Sequence, residues 1–87
     1  MKLQEYCDTL NIEIRIIYYP NQDNRWSAAF NCCEVSEGSM LISQYGDGNS
    51  PDEAIREYIN CIEGKKIVFN AGSDDSREYV VPKGIIL

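Results

Sequence analysis

Histidine is absent from these 87 residues. General acid–base catalysis most often uses that side chain, and nucleophilic cysteines are usually activated by one. Cys7, Cys32, Cys33 and Cys61 therefore lack their usual base, and the chain is read as non-enzymatic. Cys-x2-Cys spacing is missing too, so no zinc site or other cofactor is expected. Long apolar runs are lacking: stretches such as Ile16 to Ile17 and Ile85 to Leu87 fall far short of the roughly 20 residues that a spanning helix needs. Met1 to Leu10 mixes Glu5 and Asp8 into a segment with no secretory apolar core. A cytoplasmic protein off the membrane is the expectation, with free, buried thiols rather than disulfides.

Basic residues are scarce. Eight Lys and Arg face fourteen Asp and Glu, a net charge of −6, with the deficit concentrated before residue 65. Only Lys65 and Lys66 sit together. A nucleic-acid binder needs clustered cations to neutralise phosphates, so direct nucleic-acid binding is not expected.

What is present suffices for one small domain spanning residues 1–87. Hydrophobic residues make up 44% and charged residues 25%, as in ordinary globular proteins. Leu3, Tyr6, Cys7 and Leu10 recur at i, i+3, i+4 and i+7, which predicts a short opening helix over Lys2 to Leu10. From Ile12 the period becomes two: Ile12, Ile14, Ile16 and Tyr18 share one face of a strand, and Glu13 and Arg15 take the other. Pro20 to Asn24 is a loop, with Asn21, Asp23 and Asn24 able to bond their own backbone. A second strand follows from Arg25 to about Val35, placing Trp26, Ala28, Phe30 and Cys32 opposite Ser27, Ala29, Asn31 and Cys33. Gly38 marks the next turn, and Met40 to Tyr45 reads as the third strand of a meander.

Gly46 to Ala54 carries the strongest local signal. Ser50 is a suitable N-cap, Pro51 fits the first helical position, and Glu53 completes a capping box after a Gly-rich turn at Gly46–Asp47. Ala54, Ile55, Tyr58, Ile59, Cys61 and Ile62 then form an apolar side against Arg56, Glu57, Asn60 and Glu63, and Gly64 stops the helix. Ile67–Phe69 and Tyr79–Val81 read as a closing hairpin around a polar loop, with Ile85–Leu87 as a loose tail. The fold class is α+β: an antiparallel three-stranded meander packed on one main helix, with a short N-terminal helix and a C-terminal β-hairpin.

Tyr19-Pro20, Trp26 with Phe30, Gly46-Asp47 and Ser50 to Ala54 stand where the HicB-like antitoxin domain has its Tyr-Pro strand end, aromatic strand, Gly-Asp turn and capped helix. The chain resembles that family over about residues 12–63, without its Pro-Asp-Leu-Pro-Gly-Cys bend or a DNA-binding tail. The resemblance implies a sheet with one helix packed on it and a protein toxin as partner. The small acidic chain and its compact ending also look like phage or prophage proteins, which implies inhibition of a host defence enzyme. Helix, three strands and helix is also the order of a double-stranded RNA-binding domain, but Asp52 and Glu53 stand where that domain needs cations.

These readings converge on a non-enzymatic protein-binding inhibitor, of antitoxin or anti-defence (anti-CRISPR-like) type, acting through an acidic surface on a nuclease, toxin or defence enzyme. The expected contact residues are Tyr19, Trp26 and Tyr45, with Asp52, Glu53, Glu57 and Glu63 from the acidic helix. Ile17, Tyr19 and Tyr45 fall on the strand face turned from the helices. That face is either an interface or a second small core beneath the terminal hairpin, and its exposure would favour a homodimer. The alternative is a small-ligand or nucleotide-binding homo-oligomer.

Overall fold

Residues 1–23 and 25–87 are described by the structure, a computed structural model; the expected turn residue Asn24 lies outside them. The first helix, α1 (Leu3–Leu10), buries Leu3 and Tyr6, as its spacing requires. No side chain caps its N-terminus. Instead the Leu3 N–H donates to the Ile86 carbonyl at 2.6 Å, and the Ile86 N–H donates to the Met1 carbonyl at 3.0 Å. Ile85 is buried in the core, so the tail expected to be loose is docked and satisfies a helix-end donor.

An α+β architecture holds, with the meander divided between two antiparallel sheets. Strand β1 (Ile14–Tyr19) pairs with β2 (Arg25–Phe30), bringing Ile14 opposite Phe30 and Tyr19 opposite Arg25. The expected long second strand breaks after Phe30, and β3 (Cys33–Glu37) belongs to the other sheet. Cys32 causes the break: its φ of 56° is left-handed, which shifts the alternation by one and turns Cys33, rather than Cys32, toward the core with Phe30. Asn70 secures the corner by donating its N–H to the Cys32 carbonyl at 3.0 Å.

Cys32 supplies a test of this corner. A left-handed residue with a Cβ carries roughly 1–2 kcal/mol of strain, and glycine adds roughly 0.5–1 kcal/mol of unfolded-state entropy. Cys32→Gly is therefore expected to gain about 0.5–1 kcal/mol in urea unfolding, since Cys32 is exposed and no packing is lost.

The third expected strand divides in the same way. Met40–Ile42 is β4, paired with β3, whereas Gly46–Gly48, expected as a turn, is a strand, β5, paired with β2. Helix α2 (Pro51–Ile62) runs across β5 so closely that a methyl group on Gly46 would strike the Ala54 oxygen and the Tyr58 nitrogen. The glycines are there for that approach and not for a turn. The cap forms with a shifted return bond: the Glu53 N–H donates to Ser50 Oγ at 3.2 Å, as a capping box requires, while Glu53 Oε2 accepts the Asn49 N–H at 2.7 Å, one residue before the N-cap.

Strands β6 (Lys66–Phe69) and β7 (Arg77–Val80) form the expected hairpin, and β6 continues onto β3 to give the order β4-β3-β6-β7. Phe30 sits at the junction of the layers. Its ring meets Tyr58 edge-on at 5.3 Å and lies 6.0 Å from Phe69 and 6.3 Å from Tyr6. Around it gather Ile12, Val35, Ile59, Ile62, Ile67 and Val81, forming one core shared by both sheets and both helices.

Candidate functional site

Pairing decides which side chains leave the core. The Asn31 N–H donates to the Glu13 carbonyl at 2.9 Å, continuing the β1–β2 register. In an antiparallel ladder that bond assigns the backbone groups of Arg15, Ile17 and Tyr19 to β2 and those of Ile14 and Ile16 to the opposite, outer edge. The side chains alternate as well. Ile14, Ile16 and Tyr18 lie on the α2 side with Trp26, Ala28 and Phe30, and Arg15, Ile17 and Tyr19 lie on the far side with Arg25, Ser27 and Ala29.

That far face is the candidate site. Tyr45, just before β5, joins it, and two shallow hollows of 230 and 220 Å³ meet along Tyr19, Ser27 and Tyr45. Ile17 is 37% exposed, Tyr19 38% and Tyr45 56%. Charge frames the apolar centre: Arg15 stands at one end, and Arg25 at the other, with its Nε 3.8 Å from Asp47 Oδ1. The terminal hairpin does not cover this face, because β6 pairs with β3 in the second sheet. A second core there is thereby excluded.

The other expected contact residues separate from this face. Trp26 is half-buried on the helix side, 4.6 Å from the Tyr18 ring and packed on the core. Asp52 and Glu57 are exposed on α2, across the sheet from Tyr19 and Tyr45. Glu53 is engaged in the cap, and Glu63 accepts the Gly84 N–H. Tyr19 and Tyr45 are thus brought together, and the four helix carboxylates do not adjoin them. Alternation over Ile14 to Tyr19 also puts Ile17 beside Tyr19, and its apolar character at a face turned from the helix is the sequence signal for it.

All four thiols are free. Burial pushes the Cys33 thiol up to about 11 from an ordinary 9.0 and also raises Tyr58, whose hydroxyl hydrogen-bonds with the Phe30 backbone and the Cys33 thiol. Burial likewise raises Cys7 and Tyr6. These groups stay neutral in the fold and act as core. The protonated Cys33 thiol contributes stability that is complete below the unfolded thiol's 9.0 and is lost as pH rises through about 11. The urea midpoint is therefore expected to fall across that interval, less steeply in Cys33→Ala, while maleimide modifies exposed Cys32 before Cys33 in the folded protein.

Among the described residues, no three Cys, Asp or Glu side chains gather into a group able to hold a metal ion, and no helix is long and apolar enough to cross a membrane. What the site offers chemically is contact area, with two phenol hydroxyls and an Arg–Asp pair at its rim. Compared with known proteins, the chain matches no family model, no curated protein and no solved structure.

Proposed function

We propose that this chain is a non-catalytic protein-binding module of the inhibitor kind, and that it grips its partner with the outer face of the first sheet. One observation carries the reading: Ile17, Tyr19 and Tyr45 are grouped in the open on a sheet face that no other element covers among the described residues. Exposed aromatics on a rigid support lose little entropy on binding and serve as interface anchors. The role of the acidic residues changes accordingly. Asp52 and Glu57 lie across the sheet, so the net charge of −6 speeds approach to a basic partner more than it holds one. A cytoplasmic nuclease, toxin or defence enzyme with a basic surface is the kind of partner that fits.

The test is capture of proteins from host lysate on the tagged chain, with mass spectrometry of what is retained in stoichiometric amount. Wild type and an Asp52→Asn/Glu57→Gln variant are expected to retain the same protein, and Tyr19→Ala/Tyr45→Ala to lose it. Retention by the tyrosine variant and loss by the acidic one would replace this face with the helix.

A further inference from the structure

Strand β1 ends its sheet, and among the described residues no strand lies on its other side. The backbone groups of Ile14 and Ile16 point to that open side, as the Glu13–Asn31 bond requires. Natural sheets protect such edges with lysine, proline, a bulge or short length. Strand β1 is weakly protected: it is six residues long, reads Ile-Arg-Ile-Ile-Tyr-Tyr with Arg15 as its single charge, and leaves Ile16 42% and Tyr18 43% exposed on the helix side.

Beside this edge runs an apolar groove of about 320 Å³, lined by Leu3, Cys7, Ile12, Ile14 and Leu87, with Gln4 as its polar wall. It is formed where α1 and the docked tail meet the start of β1. The groove and Tyr18, which is 43% exposed with its ring backed by Trp26, stand at opposite ends of one strand, four residues apart. A two-fold axis through Ile16 interchanges those ends.

The geometry points to a second copy of this chain as the occupant of the β1 edge, in an antiparallel β1–β1 pairing centred on Ile16. Ile16 exchanges two backbone hydrogen bonds with its counterpart, which fixes the register. Each Tyr18, its ring still backed by Trp26, then lies opposite the other copy's Ile14 at the mouth of the groove lined by Leu3, Cys7 and Leu87, so that the exposed side of this apolar knob meets the apolar groove of the other copy. On the opposite face the register sets each Arg15 diagonal to the other copy's Tyr19, within reach of a cation–π contact. A different protein could add a strand here, but self-pairing is favoured because knob and groove belong to the same chain at symmetric distances from Ile16.

The size of the contact sets its strength. Ile16, Ile17, Tyr18 and Tyr19 at about 40% exposure of roughly 200 Å² apiece expose on the order of 300 Å² per copy. With the edge backbone and groove the interface comes to under ~1,000 Å² in total, the class of reversible associations. An interface of this class is weak and reversible, so the dimer is expected to dissociate on dilution within the concentration range of the experiment. The pairing shares Ile17 and Tyr19 with the partner-binding face and leaves Tyr45 in the open; it is read on the isolated chain with no partner present, so its failure and the failure of the partner-binding reading are distinguishable.

The experiment is sedimentation of the full chain from about 1 to 500 μM, a range bracketing micromolar dissociation, with amide exchange of Ile16 followed in parallel. The expected result is a mass rising toward twice 9.9 kDa and an Ile16 amide that becomes protected as concentration rises. Ile16→Lys, at an exposed position, is expected to stay monomeric with an unchanged circular dichroism spectrum, and Tyr45→Ala to dimerise like wild type. A chain that is monomeric throughout, a dimer that survives Ile16→Lys, or an Ile16 amide whose exchange ignores concentration overturns the pairing. The amide measurement decides the matter even if the lysine variant does not fold.

Discussion

Gly46→Ala is expected to lose ~3 kcal/mol or more of folding stability, a large part of the roughly 4–13 kcal/mol available to a domain of this size. The added methyl meets backbone atoms of α2, Ala54 O and Tyr58 N, which cannot rotate away as a side-chain tip could. Either α2 lifts from β5 or the β2–β5 pairing opens, and both expose Phe30, Tyr58 and Ala28. Gly48→Ala meets the same helix through Glu53 Cβ and should behave alike. Gly38 provides the control. Its φ is +62°, yet nothing approaches its Cβ position within 4 Å, so Gly38→Ala is expected to cost only the ~1 kcal/mol of left-handed strain. Urea titrations of the three variants separate steric exclusion from the general cost of replacing glycine.

Tyr19→Ala/Tyr45→Ala is expected to weaken binding to the captured partner by about 4 kcal/mol, near a thousandfold, if each ring is an anchor of ~2 kcal/mol. Both side chains leave the core side of the sheet, so folding stability should change by less than ~1 kcal/mol. Asp52→Asn/Glu57→Gln should act differently, slowing association at low salt and leaving dissociation nearly unchanged, because solvated charges across the sheet influence the approach rather than the contact. Surface plasmon resonance at two ionic strengths distinguishes the two patterns.

Much of this architecture is written locally in the chain. Ser50, Pro51 and Glu53 announce α2 because an N-cap is made almost entirely by neighbouring residues: the Ser50–Glu53 bond forms as expected, and the Glu53 carboxylate closes on Asn49, one residue outside the box. Alternation from Ile14 to Tyr19 marks β1 and already sorts Ile17 and Tyr19 onto the face turned from the helices. Other features depend on partners distant in sequence. Nothing in Asn31-Cys32 signals a left-handed corner, since glycine usually holds such positions and tertiary contacts impose this one. Gly46 and Gly48 read as a turn because glycine is ambiguous: it permits a turn, and it also permits a helix to lie against a strand. Only the folded chain shows which applies. Ile85–Leu87 looked loose for the same reason, since its place is set by Met1 and Leu3 at the far end of the sequence.

For the site, the aromatic face was legible and its separation from the acidic helix was not. Strand alternation fixes Tyr19 on one face, but the positions of Asp52 and Glu57 across the sheet follow from α2 packing on β5, a contact that depends on the bare glycines. The groove beside β1 was equally hidden, because it is assembled from α1, β1 and the terminal leucine.

The most direct test of the binding surface is oxidative footprinting of the chain alone and in complex with its captured partner. Oxidation of Tyr19 and Tyr45 is predicted to fall sharply in the complex, while Met40, exposed on the second sheet, stays as reactive as before. Unchanged oxidation at both tyrosines, with protection elsewhere, would contradict the assignment of the outer face as the surface that holds the partner.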